Sequence, residues 1–164
     1  PEKLGTHMPY WRLFYHIVFT TRNREPVIVP EIEPYLWGYI VEKGRAMGAI
    51  IYAVNGMEDH VHIVAAVPPK LSVAVFVGEV KGASAHYVNH HIPVRMESPL
   101  VWQRGYGVLS FGEKDLPRAV EYVRRQKEHH REGTTFAALE RAEETDNPPG
   151  SPDRQPPDSQ NQRR

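Results

Sequence analysis

Asn55-Gly56-Met57-Glu58-Asp59-His60-Val61-His62-Ile63-Val64-Ala65-Ala66-Val67-Pro68-Pro69 is the stretch whose reading decides the fold. Its first five residues are turn-prone, and an apolar run from Ile63 to Val67 is closed by the two prolines, so a strand is expected to start at His60. Side chains at i and i+2 point to the same side of a pleated strand, which puts both imidazoles on one face. Histidine pairs also serve as ordinary hydrogen-bonding residues, so further donors must converge before the pair means a metal site. A hard ion working on phosphates would favour oxygen donors, such as an amide carbonyl or a carboxylate.

Upstream of this stretch, Ala49 to Val54 reads as the partner strand and Glu31 to Met47 as a helix with Ile32, Leu36, Tyr39 and Ile40 turned to the core. Trp11 to Thr21 is rich in strand formers, and Arg22-Asn23-Arg24-Glu25-Pro26 is a basic loop. Downstream, Ser72 can cap a helix running to about His91. Leu100 to Trp102 and Tyr106 to Phe111 are expected to form a hairpin around Arg104-Gly105. The order βαββα(ββ)α predicts an α+β fold, a ferredoxin-like sandwich with an antiparallel β-sheet and helices packed on one face.

A last helix is expected from Asp115, its cap, through Pro117 in the first turn to Gln126. Leu116, Ala119, Val120 and Val123 recur at spacings of three and four, as one buried face requires. Tyr122 and Gln126 stand four apart and are therefore neighbours on the helix surface, so a phenol and an amide can address one point. Tyr87, four residues before His91, offers a competing phenol, and its surroundings read better as a helix with a polar face near its end. Tyr106, beside Gly105, reads as a packing or stacking residue.

With the histidine pair upstream, a long helix, Trp102-Gln103-Arg104-Gly105-Tyr106 and then Tyr-x-x-x-Gln on a helix, the chain resembles the insertion-sequence-200-like transposases, the single-tyrosine HUH family that includes repeat-associated tyrosine transposases. Tyr15-His16-Ile17-Val18-Phe19-Thr20-Thr21 is similar to the family's opening strand, Met57 to His62 to its histidine motif, and Val80-Lys81-Gly82-Ala83-Ser84 to the start of its second helix. The resemblance runs from about Tyr10 to Arg131. It implies a transposase that cuts and rejoins single-stranded DNA with hairpin-forming ends, with Tyr122 as nucleophile and a 5′-phosphotyrosine intermediate. His60, His62 and Gln126 would hold Mg²⁺ or Mn²⁺, and Asp59 would orient a histidine from behind. A homodimer is expected from the same likeness. Arg22, Arg24, Lys81, Arg104, Arg124 and Arg125 would meet phosphates and Trp102 a base.

Composition is compatible with that expectation. The 164 residues carry no cysteine, which excludes disulfides and thiolate metal sites and suits a reducing cytoplasm. No apolar stretch is long enough to span a membrane, and no secretory signal pattern opens the chain. Net charge is zero overall, yet residues 1–131 hold 16 Lys and Arg against 13 Asp and Glu, whereas residues 132–164 hold 4 against 7. The body is thus slightly basic and the end acidic. Residues 1–8 are expected to be a remnant ending at Met8, the expected native start; residues 9–131 form the domain, 132–146 a helical extension and 147–164 a disordered proline-rich tail. His129-His130 reads equally well as a charge feature at a helix end.

Two rivals remain open on the residues alone. A non-catalytic single-stranded nucleic-acid-binding module would use the same sheet and basic loops without needing the histidines, Tyr122 and Gln126 to meet. A zinc metallohydrolase would need a third strong ligand beside His60 and His62, with His16 or Glu58 as candidates.

Overall fold

The computed structural model describes residues 10–142; the expectations for residues 1–8, for the end of the extension and for the proline-rich tail fall outside these. Four strands form one antiparallel sheet in the order β2-β3-β1-β4: β1 (Phe14–Thr20), β2 (Ile50–Met57), β3 (His60–Ala66) and β4 (Gly107–Phe111). β3 and β1 are central, and every residue of β3 is buried. Alternation along β3 sends Val61, Ile63 and Ala65 into the main core and leaves His60, His62 and Val64 on the opposite face.

Helices α1 (Glu33–Ala46) and α2 (Val73–His91) cover the main-core face. α1 buries Leu36, Ile40 and Gly44, one turn apart each time, and at Gly44 an added Cβ would lie 2.7 Å from the Ile51 Cδ1. α2 begins at Ser72, whose Oγ accepts from the Val75 N–H at 3.2 Å, and it buries Phe76, Val77, Val80, Ser84 and Val88. The α+β class and the antiparallel sheet stand as expected. Beyond the layer of α1 and α2, a third helix, α3 (Leu116–Arg124), lies on the other face, where Val123 and Tyr122 pack with Ala53 and Val64. Among the described residues no helix is long and apolar enough to cross a membrane.

Three local expectations are corrected. The turn between β2 and β3 is only Glu58-Asp59, because Asn55, Gly56 and Met57 continue β2 and pair with His62, Val61 and His60. Gly56 permits this: a Cβ there would sit 2.1 Å from the His60 carbonyl oxygen, so the backbones approach too closely for any other residue. The hairpin around Arg104-Gly105 does not form. Trp102 instead bridges Thr21 and Gly107 pairs with Val18, so both ends lie along the same edge of β1 with an outward loop between them. The Lys81 ammonium holds that loop through the carbonyls of Gln103 at 2.6 Å and Gly105 at 2.8 Å. Finally, the tyrosine helix breaks at Arg125 (φ −96, ψ 20), after which α4 runs Gln126–Glu132. Asp115 makes no side-chain capping bond, because it closes a short 3-10 turn at Glu113–Asp115. After α4, Gly133 (φ 67) reverses the chain, and the four-residue α5 (Ala137–Glu140) folds back onto the sheet.

Candidate active site

His60 and His62 emerge on the α3 face of β3, almost wholly removed from solvent. The tip of their hairpin is fastened to its neighbours: the Thr21 N–H donates to the Asp59 carbonyl at 2.8 Å and the Ile28 N–H to the Glu58 carbonyl at 2.9 Å. Each imidazole is engaged through Nδ1. His60 Nδ1 lies 2.6 Å from the Asp59 Oδ1, and His62 Nδ1 lies 2.9 Å from the Nε2 of His16, which stands on the same face of β1 two residues from Val18, the register partner of His62. Asp59 is in turn 3.4 Å from the Arg24 guanidinium.

From the other side the chain brings Tyr122 at the end of α3, Gln126 and His130 on α4, and Glu140 at the end of α5. The Glu140 carboxylate is the hub. Its Oε1 accepts from the Tyr122 hydroxyl at 2.5 Å and from the Gln126 amide at 2.7 Å. Its Oε2 lies 3.5, 3.2 and 3.4 Å from the Nε2 atoms of His60, His62 and His130. The Tyr122 oxygen also accepts from the Phe136 N–H at 3.1 Å.

These donors could hold a metal ion. One ligand atom each from His60, His62, His130 and Glu140 lies within 4.8 Å of the others. Two donors about 2.1 Å from a tetrahedral ion stand roughly 3.4 Å apart, close to the separations around Glu140. Among the described residues the buried Nε2 atoms of His60 and His130 and the Oε1 of Gln126 find no hydrogen-bond partner, a costly condition that a shared cation would relieve. With Nδ1–H of His60 given to Asp59, its Nε2 carries the lone pair that a metal needs.

Electrostatics follow the burial. His16 is pushed down to about 3, first by burial and then by the neighbouring His62, so it is neutral. His60 is also lowered, again chiefly by burial, against the opposing pull of Asp59. Burial alone would raise the Glu140 carboxyl, but the hydrogen bond and charge of His62, with the bonds from Tyr122 and Gln126, outweigh it and hold the group ionised. Tyr122 is pushed up to about 12 by burial and by its hydrogen bond to Glu140. The phenol therefore keeps its proton in this arrangement.

The structure thus brings His60, His62, Gln126, Tyr122 and Asp59 together. It adds His130 and Glu140, which the sequence reading did not place here, and His16, which that reading offered beside the pair only as a zinc ligand. His130 could have been found, since it stands four residues from Gln126 on one helix. His16 is not a third metal ligand but the partner of His62. The groups expected to meet DNA divide. Arg22, Arg24 and Arg104 are exposed, and the last two line a groove with Thr20, Thr21, Asn23, Gln103 and Ala142; Arg124 is exposed beside the site. Trp102 is largely buried, edge-on against Phe19, with its N–H given to Ser84. Lys81 is spent on the 103–105 loop, and the Nε and Nη2 of Arg125 each donate to the Glu128 carboxylate at 2.6 Å. Tyr87 stacks on Tyr39 at 4.3 Å, and Tyr106 packs against the main core.

Residues 9–126 match the family described as IS200-like transposases, well over half of the chain. The chain belongs to the IS200-like transposase family. It is 28% identical over 137 residues to the transposase for insertion sequence element IS200 of Salmonella typhimurium, an alignment spanning 75% of this chain and 82% of the relative. It is 25% identical over 119 residues to the ISDra2 transposase TnpA of Deinococcus radiodurans, spanning 71% and 85%. Among solved structures, a crystal structure of a candidate transposase from Deinococcus radiodurans superposes with TM-score 0.57 at 27% identity, covering 76% of this chain and 98% of that one. A REP-associated tyrosine transposase bound to a REP hairpin superposes with TM-score 0.55 at 16% identity, covering 80% and 76%, and supports the fold. The IS200-like match ends at Gln126, so His130 and Glu140 lie beyond the matched segment.

Proposed function

We propose that this IS200-like transposase cleaves and rejoins single-stranded DNA with Tyr122 as nucleophile. The observation that carries the reading is the approach of the Tyr122 hydroxyl to the His60 and His62 donors through a single shared carboxylate, Glu140. In the reaction the phenolic oxygen forms a bond to phosphorus as the bond from phosphorus to the 3′ oxygen breaks. The phenol loses one proton and the departing 3′ oxygen gains one. The product is a 5′-phosphotyrosine and a free 3′-OH, and since one diester replaces another the reverse reaction rejoins strands without ATP.

His60 and His62, with the Gln126 Oε1, would hold the divalent ion, and His130 lies in reach of the same point. When bound, such an ion supplies Lewis-acid polarisation of a phosphate oxygen. Of Mg²⁺ and Mn²⁺, the imidazole-rich donor set favours Mn²⁺. Asp59 and His16 act from behind by fixing which nitrogen of His60 and of His62 faces the ion. Arg22, Arg24, Arg104 and Arg124 supply the phosphate-binding surface, and a strand with hairpin-forming ends is the expected substrate, in keeping with the hairpin on the structural neighbour. The full assembly is expected to be a homodimer.

The test is covalent capture. A labelled single-stranded oligonucleotide incubated with Mn²⁺ should become linked to the wild-type chain and not to Tyr122→Phe, with binding retained. An adduct that persists in Tyr122→Phe removes Tyr122 from this role. The zinc-hydrolase reading gains one observation, the closed set of three imidazoles and a carboxylate. It predicts hydrolysis without any protein-linked product, so the same gel separates the two.

A further inference from the structure

Asn55-Gly56 has the composition of a turn and stands inside a strand. Asparagine is depleted in strands, so its place in β2 calls for a reason of its own. Gly56 is there for the close approach of the His60 carbonyl. Asn55 lies directly opposite His62 in the register, and opposed residues of neighbouring strands share a face. Its amide is fixed at both ends: Oδ1 accepts from the Gly56 N–H at 2.9 Å, which leaves Nδ2 to donate to the Arg124 carbonyl, also at 2.9 Å. Arg124 closes α3, two residues after Tyr122. A continuous helix would give that carbonyl to the Glu128 N–H, four residues on. The helix breaks at Arg125 instead, and the sheet takes up the carbonyl.

We propose that Asn55 is a positioning residue for the nucleophile: by holding the Arg124 carbonyl from the strand beside the histidines, it fixes the axial place of α3 and the point of the break, and so the aim of Tyr122. Packing alone does not do this. Tyr122 and Val123 rest on Ala53 and Val64 through apolar contact, which presses the helix to the sheet without a preferred direction along it. A hydrogen bond is directional, and this one ties the last turn of the nine-residue α3 to the neighbour of His62. The break matters as much as the anchor. On an unbroken helix His130 would stand eight residues and about 12 Å along the axis from Tyr122. In the folded chain both side chains meet the Glu140 carboxylate. Lys127 adds an ion pair from α4 to Glu33 at 2.6 Å, but it lies at the surface, where such pairs contribute little. The inference rests on the Tyr122 reading above and names what aims that residue.

Covalent capture of a labelled single-stranded oligonucleotide by the full chain, with strand and Mn²⁺ both saturating, tests it. Asn55→Leu removes both ends of the amide, whereas Asn55→Asp keeps its size and its bond to the Gly56 N–H and loses the donor. Moving a reacting group by an ångström costs about 100-fold, so each variant should capture roughly 10–100-fold more slowly while the KM for the strand stays within about twofold of wild type. Ser72→Ala, which strips the cap of α2 on the other face of the sheet, lowers stability and should leave the rate unchanged. A wild-type rate in either Asn55 variant overturns the proposal, and so does a loss confined to KM. A rate that returns when Mn²⁺ is raised further also overturns it, because Asn55 would then support His62 and not Tyr122. Either variant alone suffices for the comparison, so one that fails to fold leaves the test intact. An adduct in Tyr122→Phe sinks the nucleophile reading, whereas full capture by the Asn55 variants with none by Tyr122→Phe sinks the role of Asn55 alone.

Discussion

Replacing His16 by leucine should reverse the order of stability between neutral and acid pH. His16 is buried beside His62 and held down to about 3 from 6.5, first by burial. Between those values the unfolded chain binds a proton that the folded chain refuses, so stability present above pH 6.5 is lost as pH falls toward 3. Integrating the two titrations gives a loss of about 3 kcal/mol between pH 7 and pH 4 from this residue. The leucine variant lacks that loss. At pH 7 it suffers differently, because His62 Nδ1, in a side chain with no exposure, is left without its 2.9 Å partner. An unpartnered buried group of this kind costs about 1–3 kcal/mol. The variant should therefore melt below wild type at pH 7 by roughly 2–12 °C and draw level with it or pass it near pH 4. Other groups lowered by burial, His60 among them, tilt both curves alike and cancel in the difference. Urea unfolding across this range, followed by circular dichroism, reads the effect. Curves that stay parallel from pH 7 to pH 4 would refute the buried neutral imidazole.

Gly56→Ala should cost about 2–3 kcal/mol, since its Cβ meets a backbone oxygen at 2.1 Å that cannot step aside, and ion affinity should fall with it because His60 carries that oxygen; calorimetric titration with Mn²⁺ checks both. Asp59→Ala should weaken Mn²⁺ binding about 10–100-fold and also lower the melting temperature of the ion-free chain, since buried His60 Nδ1 loses its 2.6 Å partner; an unchanged affinity would remove Asp59 from any part in orienting His60. Lys81→Met should destabilise the chain by about 2 kcal/mol through the lost carbonyl bonds while leaving the salt dependence of DNA binding unaltered; Arg104→Ala should do the opposite, lowering the salt slope by about one. Mn²⁺ at roughly a hundred times its dissociation constant should add about 2.7 kcal/mol to stability in a thermal scan, and no shift would mean that the orphaned nitrogens are not ligands.

The parts of this molecule that were readable in advance are those where local chemistry and tertiary role agree. Ser72 caps α2 because its hydroxyl can reach Val75, and the apolar stripe of α3 meets the sheet because its spacing leaves no other face to bury. His60 and His62 could be assigned to one side of a strand from their spacing alone. Gly56 misled because glycine marks both turns and close approaches, and only the partner strand tells which. The hairpin at Arg104-Gly105 failed because a lysine remote in sequence holds the loop carbonyls, and no local pattern encodes that. Glu140 was invisible for another reason. It belongs to a short acidic extension without periodicity, and its role comes from where Gly133 turns the chain back.

The two-residue turn at Glu58-Asp59 carries a further consequence. Because its carbonyls are pinned by Thr21 and Ile28, and the arm that carries the histidines, β3, is a central strand, the paired imidazoles are already in position once the sheet has formed. An incoming ion does no construction: it settles into a seat preassembled by the hydrophobic core on the far side of the same strand, and a chelator empties that seat without dismantling the domain.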